Sequence, residues 1–242
     1  MSKRKKRRFH ALQMKREEKL VAVASPVQDM CHTSYTASLL RMFAHTMNAI
    51  MEGESATNAV YITRSGSLIP HQRQVLVYDA MKLNATHILF IDTDMQFPSD
   101  MILRLMRHDV DIVGANCISR RPPYALTART EANEWVYTSN ESSGLEKVGK
   151  VGTGVLLVSM EVFKNIEPPW FNLEWFPMGH HLHTQEGNQD VLLGEDYWFC
   201  DVAKKAGYEI YIDHDVSKEV LHIGQFGYSP TLKVPIAGGV SK

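Results

Sequence analysis

Two aspartates one residue apart, Asp92-Thr93-Asp94, follow directly on the apolar run His87–Ile91. Carboxylates at i and i+2, placed beyond the carboxyl end of a buried strand, lean together toward one cation or one ribose. Hard oxygen ligands of this kind suit Mg²⁺ or Mn²⁺, which keep several waters and bridge phosphates. The plainer alternative is a turn at Asp92 and a helix cap at Asp94. A second acidic pair, Glu195-Asp196, opens an amphipathic stretch ending near Gly207. Acids in a first helical turn complement the dipole, or they do proton chemistry if they reach a ligand. His222 stands alone in the apolar segment Val220–Gly224, as a core histidine or as a metal ligand.

Elements that would position these groups are readable from periodicity. Leu20–Ala24, Ala59–Thr63, His87–Ile91 and Asp111–Ala115 have the length and content of buried strands. Ser25-Pro26 is expected to stop the first of them. Between the strands, Tyr35–Met51 and Gln72–Leu83 carry helical spacing, and Pro98 is placed to open a third helix. This alternation over Leu20–Ala115 predicts a mainly parallel sheet covered on both faces. Tyr124–Arg129, Trp135–Thr138 and Glu146–Val158 read as strands without long helices between them, hence a mixed or antiparallel region. Glu195–Gly207 predicts a helix stopped by its glycine, and Tyr208–Ile212 a last strand.

In order and spacing, Ile91–Met95 with Phe97-Pro98, the strand Val151–Val158, Gly194–Cys200, Ala206–Tyr208 and His222 resemble nucleotide-sugar-dependent glycosyltransferases of the GT-A fold. The compact phage and bacterial forms are the nearest in character. The resemblance spans about Leu20 to Gly224. It implies an α/β fold of the GT-A (Rossmann-like) type: a mixed, mainly parallel central sheet flanked by helices, with a smaller antiparallel acceptor-side region. It also implies one domain over 19–228, with a nucleotide-binding half to 118 and an acceptor half from 119, between a basic arm (1–18) and a tail (229–242).

Roles follow from the same resemblance. Asp94 and His222 would bind Mn²⁺ or Mg²⁺, with Asp92 on the ribose or on a metal-bound water and Thr93 beside them. Ser25, Pro26 and Asp29 would hold the nucleoside of a nucleoside-diphosphate sugar, a UDP-sugar first. Arg64 and Arg73, after the second strand, would meet the donor's charge, Arg73 being the better placed. Gly154 would let backbone approach the donor sugar, because glycine has no side chain to intervene. For attack from the face opposite the diphosphate the acceptor hydroxyl needs a base; Asp196 is the first choice and Glu195 the second. The sugar moved would be a hexosyl or pentosyl group.

Pro168–Pro177 holds Trp170 and Trp175. Aromatic faces of this kind stack on an acceptor sugar or base, or else pack a loop onto the core. His180, His181 and His183 lack the i, i+4 spacing of a zinc site; residues 179–194 read instead as a donor-site lid.

Charge narrows the class further. The chain has 26 basic and 27 acidic residues. Its first nineteen residues hold nine basic and two acidic ones, a net of +7, which leaves a body of net −8. That excludes a cationic coating protein, and 44% hydrophobic content excludes a disordered chain. A basic arm on an acidic body favours a polyanionic acceptor, concretely a hydroxylated base in phage DNA. Protein side chains, cell-surface glycans and small metabolites stay open as acceptors. With no apolar run of about 18–20 residues and three scattered cysteines, the sequence predicts no membrane span and a cytoplasmic protein, in the host cytoplasm if phage-encoded. Two other classes stand against the transferase. A sugar-phosphate nucleotidyltransferase would show a glycine-rich basic loop after the first strand, where this chain reads Ser25–Met30 without glycine or lysine. A non-catalytic nucleic-acid-binding module would need a base-reading motif, and none accompanies the arm.

Overall fold

A computed structural model describes residues 18–120, 124–176, 191–224 and 227–231. Most of the basic arm, the histidines at 180, 181 and 183, nearly all of the expected lid and most of the tail lie outside the described residues.

β1 (Lys19–Val27), α1 (Thr33–Met51), β2 (Thr57–Ser65), α2 (Ile69–Lys82) and β3 (His87–Ile91) follow in the alternation expected. After them come β4 (Met95–Gln96), α3 (Met101–Arg107), β5 (Ile112–Gly114), β6 (Leu145–Val148), β7 (Val155–Ser159) and α4 (Met160–Asn165). The chain goes on through β8 (Glu174–Phe176), β9 (Val191–Leu193), α5 (Glu195–Lys205), β10 (Ile210–Asp213), α6 (His214–Glu219), β11 (Leu221–Ile223) and β12 (Gly227–Tyr228).

Seven strands form the central sheet in the order β2-β1-β3-β7-β5-β10-β6. β7 runs antiparallel to both its neighbours and β6 antiparallel to β10, so the other five strands share one direction. The architecture is thus mixed and mainly parallel, flanked by helices, with two small antiparallel sheets beside it. Strands buried on both faces must be apolar at every position, and β1 shows why. Val21 and Val23 pack with Tyr35 and Met42 of α1, whereas Ala22 and Ala24 face Leu76 and Val77 of α2. β7, from the second half of the chain, lies between β3 and β5. The two halves of the sequence therefore share one sheet.

Several local expectations are corrected. Ser25-Pro26 does not end β1, which continues to Val27. The register with β3 stops at Ala24, and Val27 O accepts from Gly66 N on the β2 side. Strand alternation then turns the proline nitrogen to the side where β3 has ended, and no ladder bond is lost there. The buried stripe of α1 is Tyr35, Ser38, Met42, Thr46 and Ala49, which leaves Met47 exposed. Pro98 starts a turn, and α3 begins only at Met101. Tyr124–Arg129 and Trp135–Thr138 make isolated bridges (Ile118 with Leu126, Arg129 with Trp135 and Lys150) and no strands. Glu146–Val158 is two strands, β6 and β7, on different parts of the sheet. At the end of α5, Gly207 takes φ +92°, the left-handed stop its position predicted.

Trp170 is also corrected. It is 3% exposed, its ring meets Tyr78 and Phe163 at 5.1 and 5.5 Å, and its Nε1 donates to Ile166 O at 2.7 Å. It fastens the 166–171 segment onto the core and offers no face to an acceptor. Trp175, on β8, is 67% exposed and keeps that possibility. Trp170→Ala is expected to cost about 3–5 kcal/mol of stability, the usual range for a buried aromatic. Trp175→Ala should stay within about 0.5 kcal/mol. Urea midpoints of the two variants check the contrast, and equal midpoints would contradict it.

Candidate active site

The Asp92–Asp94 loop leaves the carboxyl end of β3, and each of its peptide groups is tied to a different element. Asp92 N donates to Gly154 O ahead of β7 at 3.1 Å. Thr93 O accepts from His32 N, in the loop between β1 and α1, at 3.0 Å. Asp94 O accepts from Ile223 N on β11 at 2.7 Å. Three distant segments thereby fix one tripeptide, which is what holds two carboxylates in a defined place.

The small sheet β12-β11-β4 has a clear consequence for the site. β4 follows the loop directly, and His222 of β11 pairs with Met95 of β4. That register brings His222 Nε2 to 3.3 Å from Asp94 Oδ2 across 128 residues of chain. On the other side of the ring, Nδ1 lies 2.9 Å from Ile118 O. A carbonyl only accepts, so Nδ1 carries the hydrogen and Nε2 is turned to Asp94. Burial opposes charge on this ring, but the Asp94 bond and charge and the Ile118 carbonyl outweigh it, and the His222 pKa rises. Burial likewise pushes Asp94 up. The His222 bond and charge, with Arg120, win, and its carboxyl stays below the usual range.

Two carboxylates are held by a buried arginine. Arg73, one turn into α2, has a side chain only 3% exposed. Its Nη2 donates to Asp92 Oδ1 at 2.8 Å and its Nε to Glu195 Oε1 at 3.3 Å, with the guanidinium 5.7 Å from the Phe90 ring centre. Nη1 has no hydrogen-bond partner among the described residues. Burial works against the Arg73 charge, and Asp92, Glu195 and Asp196 more than restore it. Arg73 is therefore neither an exposed helix arginine nor a free donor contact. It ties the first acidic motif to the second.

Asp196 differs from its neighbour. Glu195 lines the cavity described below, whereas Asp196 does not. Its Oδ1 accepts from Tyr197 N at 2.8 Å, and burial together with the Glu195 charge pushes its pKa up to about 6. The Tyr197 amide and Arg73 oppose that rise without cancelling it.

A cavity of 440 Å³ opens over these groups, lined by Pro26, Gln28, Met30, His32, Ile69, Arg73, Asp92, Thr93, Asp94, Arg120 and Glu195. It brings together Pro26, Arg73, Asp92, Thr93, Asp94 and Glu195 of the residues expected from the sequence. Three others are corrected. Ser25 is fully buried and bonded to Tyr35, with its carbonyl taken by Thr63, so its side chain faces the core. Asp29 is not among the residues that line the cavity, whereas its neighbours Gln28 and Met30 are. Arg64 is half exposed and paired with Asp79 at 2.6 Å, off the cavity wall. Gly154 sits against the loop: a Cβ there would be 3.8 Å from Asp92 Oδ2, an ordinary contact.

Arg120 was not anticipated. Its Nη1 is 2.6 Å from Asp94 Oδ2 and 3.2 Å from Ile223 O. The only signal in the sequence is its place a few residues after β5, at the carboxyl edge where ligands gather. His32 was missed too, and its backbone bond to Thr93 has no sequence mark at all.

The donor set fits a divalent ion in its chemistry. At metal–ligand distances of about 2.1 Å, neighbouring ligands of an octahedron lie about 3 Å apart. Asp94 Oδ2 and His222 Nε2, at 3.3 Å, are close to that spacing. Among the described residues no group of three His, Cys, Asp or Glu side chains forms a complete protein cage. Waters and a phosphate would have to supply the rest, as Mg²⁺ sites usually require.

A family model described as Anp1 matches residues 52–155. The matched stretch holds Arg73, Asp92, Asp94 and Arg120, and it leaves out β1, Glu195, Asp196 and His222. No curated protein matches the chain. Among solved structures, A197 from STIV aligns over 93% of this chain and 97% of its own at 13% identity, with a TM-score of 0.54, which is a likeness of fold. A glycosyltransferase involved in the glycosylation of the major capsid of PBCV-1 aligns over 62% of this chain and 68% of its own, at 15% identity and TM-score 0.30. An apo-UDP-glucose pyrophosphorylase aligns over 85% and 76%, at 8% identity and TM-score 0.37. Among the described residues no helix is long and apolar enough to cross a membrane.

Proposed function

We propose that this chain is a metal-dependent glycosyltransferase, moving a sugar from a nucleoside-diphosphate sugar to an acceptor hydroxyl. One observation carries the reading. Asp94 lines a cavity that also holds Asp92 and two arginines, and the β4–β11 pairing brings His222 Nε2 to 3.3 Å from its Oδ2. The Anp1 match, which supports a glycosyltransferase, covers most of that cavity wall.

Asp94 and His222 would hold Mg²⁺ or Mn²⁺, which supplies positive charge to a departing diphosphate. The protein does the rest. Arg73 keeps Asp92 and Glu195 fixed, so these two carboxylates need no rearrangement when the donor enters. Asp92 retains one carboxylate oxygen, Oδ2, outside its Arg73 bond, free to accept from a ribose hydroxyl. Thr93, Pro26, Gln28 and Met30 form the wall against which the nucleoside rests. Asp196, with a pKa raised to about 6, is a carboxylate at neutral pH yet basic enough to take a proton. As the acceptor oxygen bonds to the anomeric carbon, the bond from that carbon to the diphosphate oxygen breaks. Its electron pair leaves with the nucleoside diphosphate, and the acceptor's proton passes to Asp196. Between arm and body, the charge split of +7 and −8 favours a polyanionic acceptor, DNA above all.

A donor screen tests the function. The full chain with Mn²⁺ would be offered UDP-, GDP-, TDP- and CMP-sugars, following the melting midpoint and sugar release. One nucleotide class should raise the midpoint by several degrees, because a ligand that binds only the folded state stabilises it by mass action. Flat midpoints with all four, with and without metal, would overturn the reading.

A further inference from the structure

Arg120 and a metal ion would need the same oxygen. Asp94 Oδ2 is ion-paired with Arg120 Nη1 at 2.6 Å, and it is also the atom that faces His222 Nε2. A divalent cation bound between Asp94 and His222 would stand beside a guanidinium already in contact with its ligand. Two cations on one carboxylate oxygen repel in a partly desolvated site, so a metal there weakens the hold of Asp94 on Arg120.

The two cavity arginines differ in freedom to move. Arg73 is 3% exposed and clasped by two carboxylates. Arg120 is 36% exposed, and among the described residues it holds, besides Asp94, only the Ile223 carbonyl. It lines the same 440 Å³ cavity, so a side chain released from Asp94 stays within the space a diphosphate would fill. Arginine suits that second partner, because its planar fork matches phosphate oxygens.

We propose that Arg120 is an exchangeable counter-cation. It neutralises Asp94 while the metal is absent, yields that carboxylate when the metal enters, and then binds the diphosphate. This rests on the metal-site reading given under the proposed function. Its consequence is coupling: a diphosphate that draws Arg120 away frees Asp94 for metal, and by linkage the metal strengthens diphosphate binding equally. Without the swap, Arg120 is a fixed structural pair of Asp94.

The test measures Mn²⁺ binding to the full chain by calorimetry and by the paramagnetic resonance of free Mn²⁺, with no nucleotide present. Arg120→Ala should bind Mn²⁺ alone about tenfold more tightly than wild type, the scale of an ordinary coupling between sites. With Mn²⁺ saturating, the same variant should bind UDP about tenfold more weakly. Arg120→Gln, closer in shape, replaces it if alanine impairs folding, and should move both affinities in the same directions. Unchanged or weaker Mn²⁺ binding in a folded variant overturns the exchange. Asp94→Ala identifies the site, since it should abolish the binding that Arg120→Ala improves. If neither wild type nor Arg120→Ala binds Mn²⁺, with or without UDP, the metal reading falls and the exchange with it. If Mn²⁺ binds and responds to Arg120 while no sugar nucleotide is turned over, the exchange stands and only the transferase reading fails.

Discussion

Asp94→Asn is expected to reduce turnover by about 10²–10³ while leaving the fold intact, the loss usual when one electrostatic contact to a developing charge is removed. The substitution keeps the shape and takes away the charge. Asp94 O, which anchors Ile223 N, is a backbone atom and survives it. Two interactions do not survive: the 2.6 Å pair with Arg120 and the contact that holds a proton on His222. Arg120 is exposed enough for its pair to contribute little, about 1 kcal/mol or less. The effect therefore falls on function. Affinity for Mn²⁺ should drop beyond detection, and the donor-induced rise in melting midpoint should vanish with it. Circular dichroism would verify the fold, and initial rates in an Mn²⁺ series would measure the loss. A variant that kept more than about a tenth of wild-type turnover would mean that Asp94 caps structure and does no chemistry.

The parts of the site that could be read in the sequence are those made by local pattern. The His87–Ile91 strand and the loop after it were legible because a continuous apolar run has one meaning at that length, and a polar break marks its end. The α5 helix and its stop at Gly207 were legible for similar reasons. What failed depends on direction or on pairing across distance. Ser25 and Pro26 are adjacent, yet one faces the core and the other lines the cavity, because successive strand residues point to opposite faces. Sequence alone did not reveal which was which. Trp170 and Trp175 look equivalent in a proline-rich stretch and are opposite in burial. The partners that decide this, Tyr78 and Phe163, come from distant elements. His222 was placed by the order of motifs alone, while its contact with Asp94 is made by the register of a two-residue strand. The sequence reading of Arg73, a contact to the donor's charge, did not include a buried ion triad. A charged side chain enters the interior only when partners compensate it, and both of its partners come from other segments.

Asp196→Asn should make the protein more stable and nearly inactive, a combination that separates a working carboxylate from a structural one. In the folded chain Asp196 holds its proton up to about pH 6, against an ordinary value of 3.8. The unfolded chain gives that proton up first. Stability therefore falls as pH rises from the ordinary carboxylate range through 6, and the penalty is complete above it. A rise of about two units corresponds to about 3 kcal/mol. Asparagine removes the charge and keeps an oxygen for the Tyr197 amide. At pH 8 the variant should be more stable by about 1–3 kcal/mol, and at pH 4 the two proteins should converge. Activity should move the other way, down by about 10²–10⁴, the usual worth of a general base. Wild-type kcat/KM should fall with unit slope below about pH 6, and the variant's residual rate should lack that limb. Urea titrations at pH 4 and 8, with a kcat/KM profile across that range, test both halves. Lower stability at pH 8 would show that Asp196 is held by partners that need its charge. A retained rate would move the base to Glu195, whose pairing with Arg73 would then have to open during turnover.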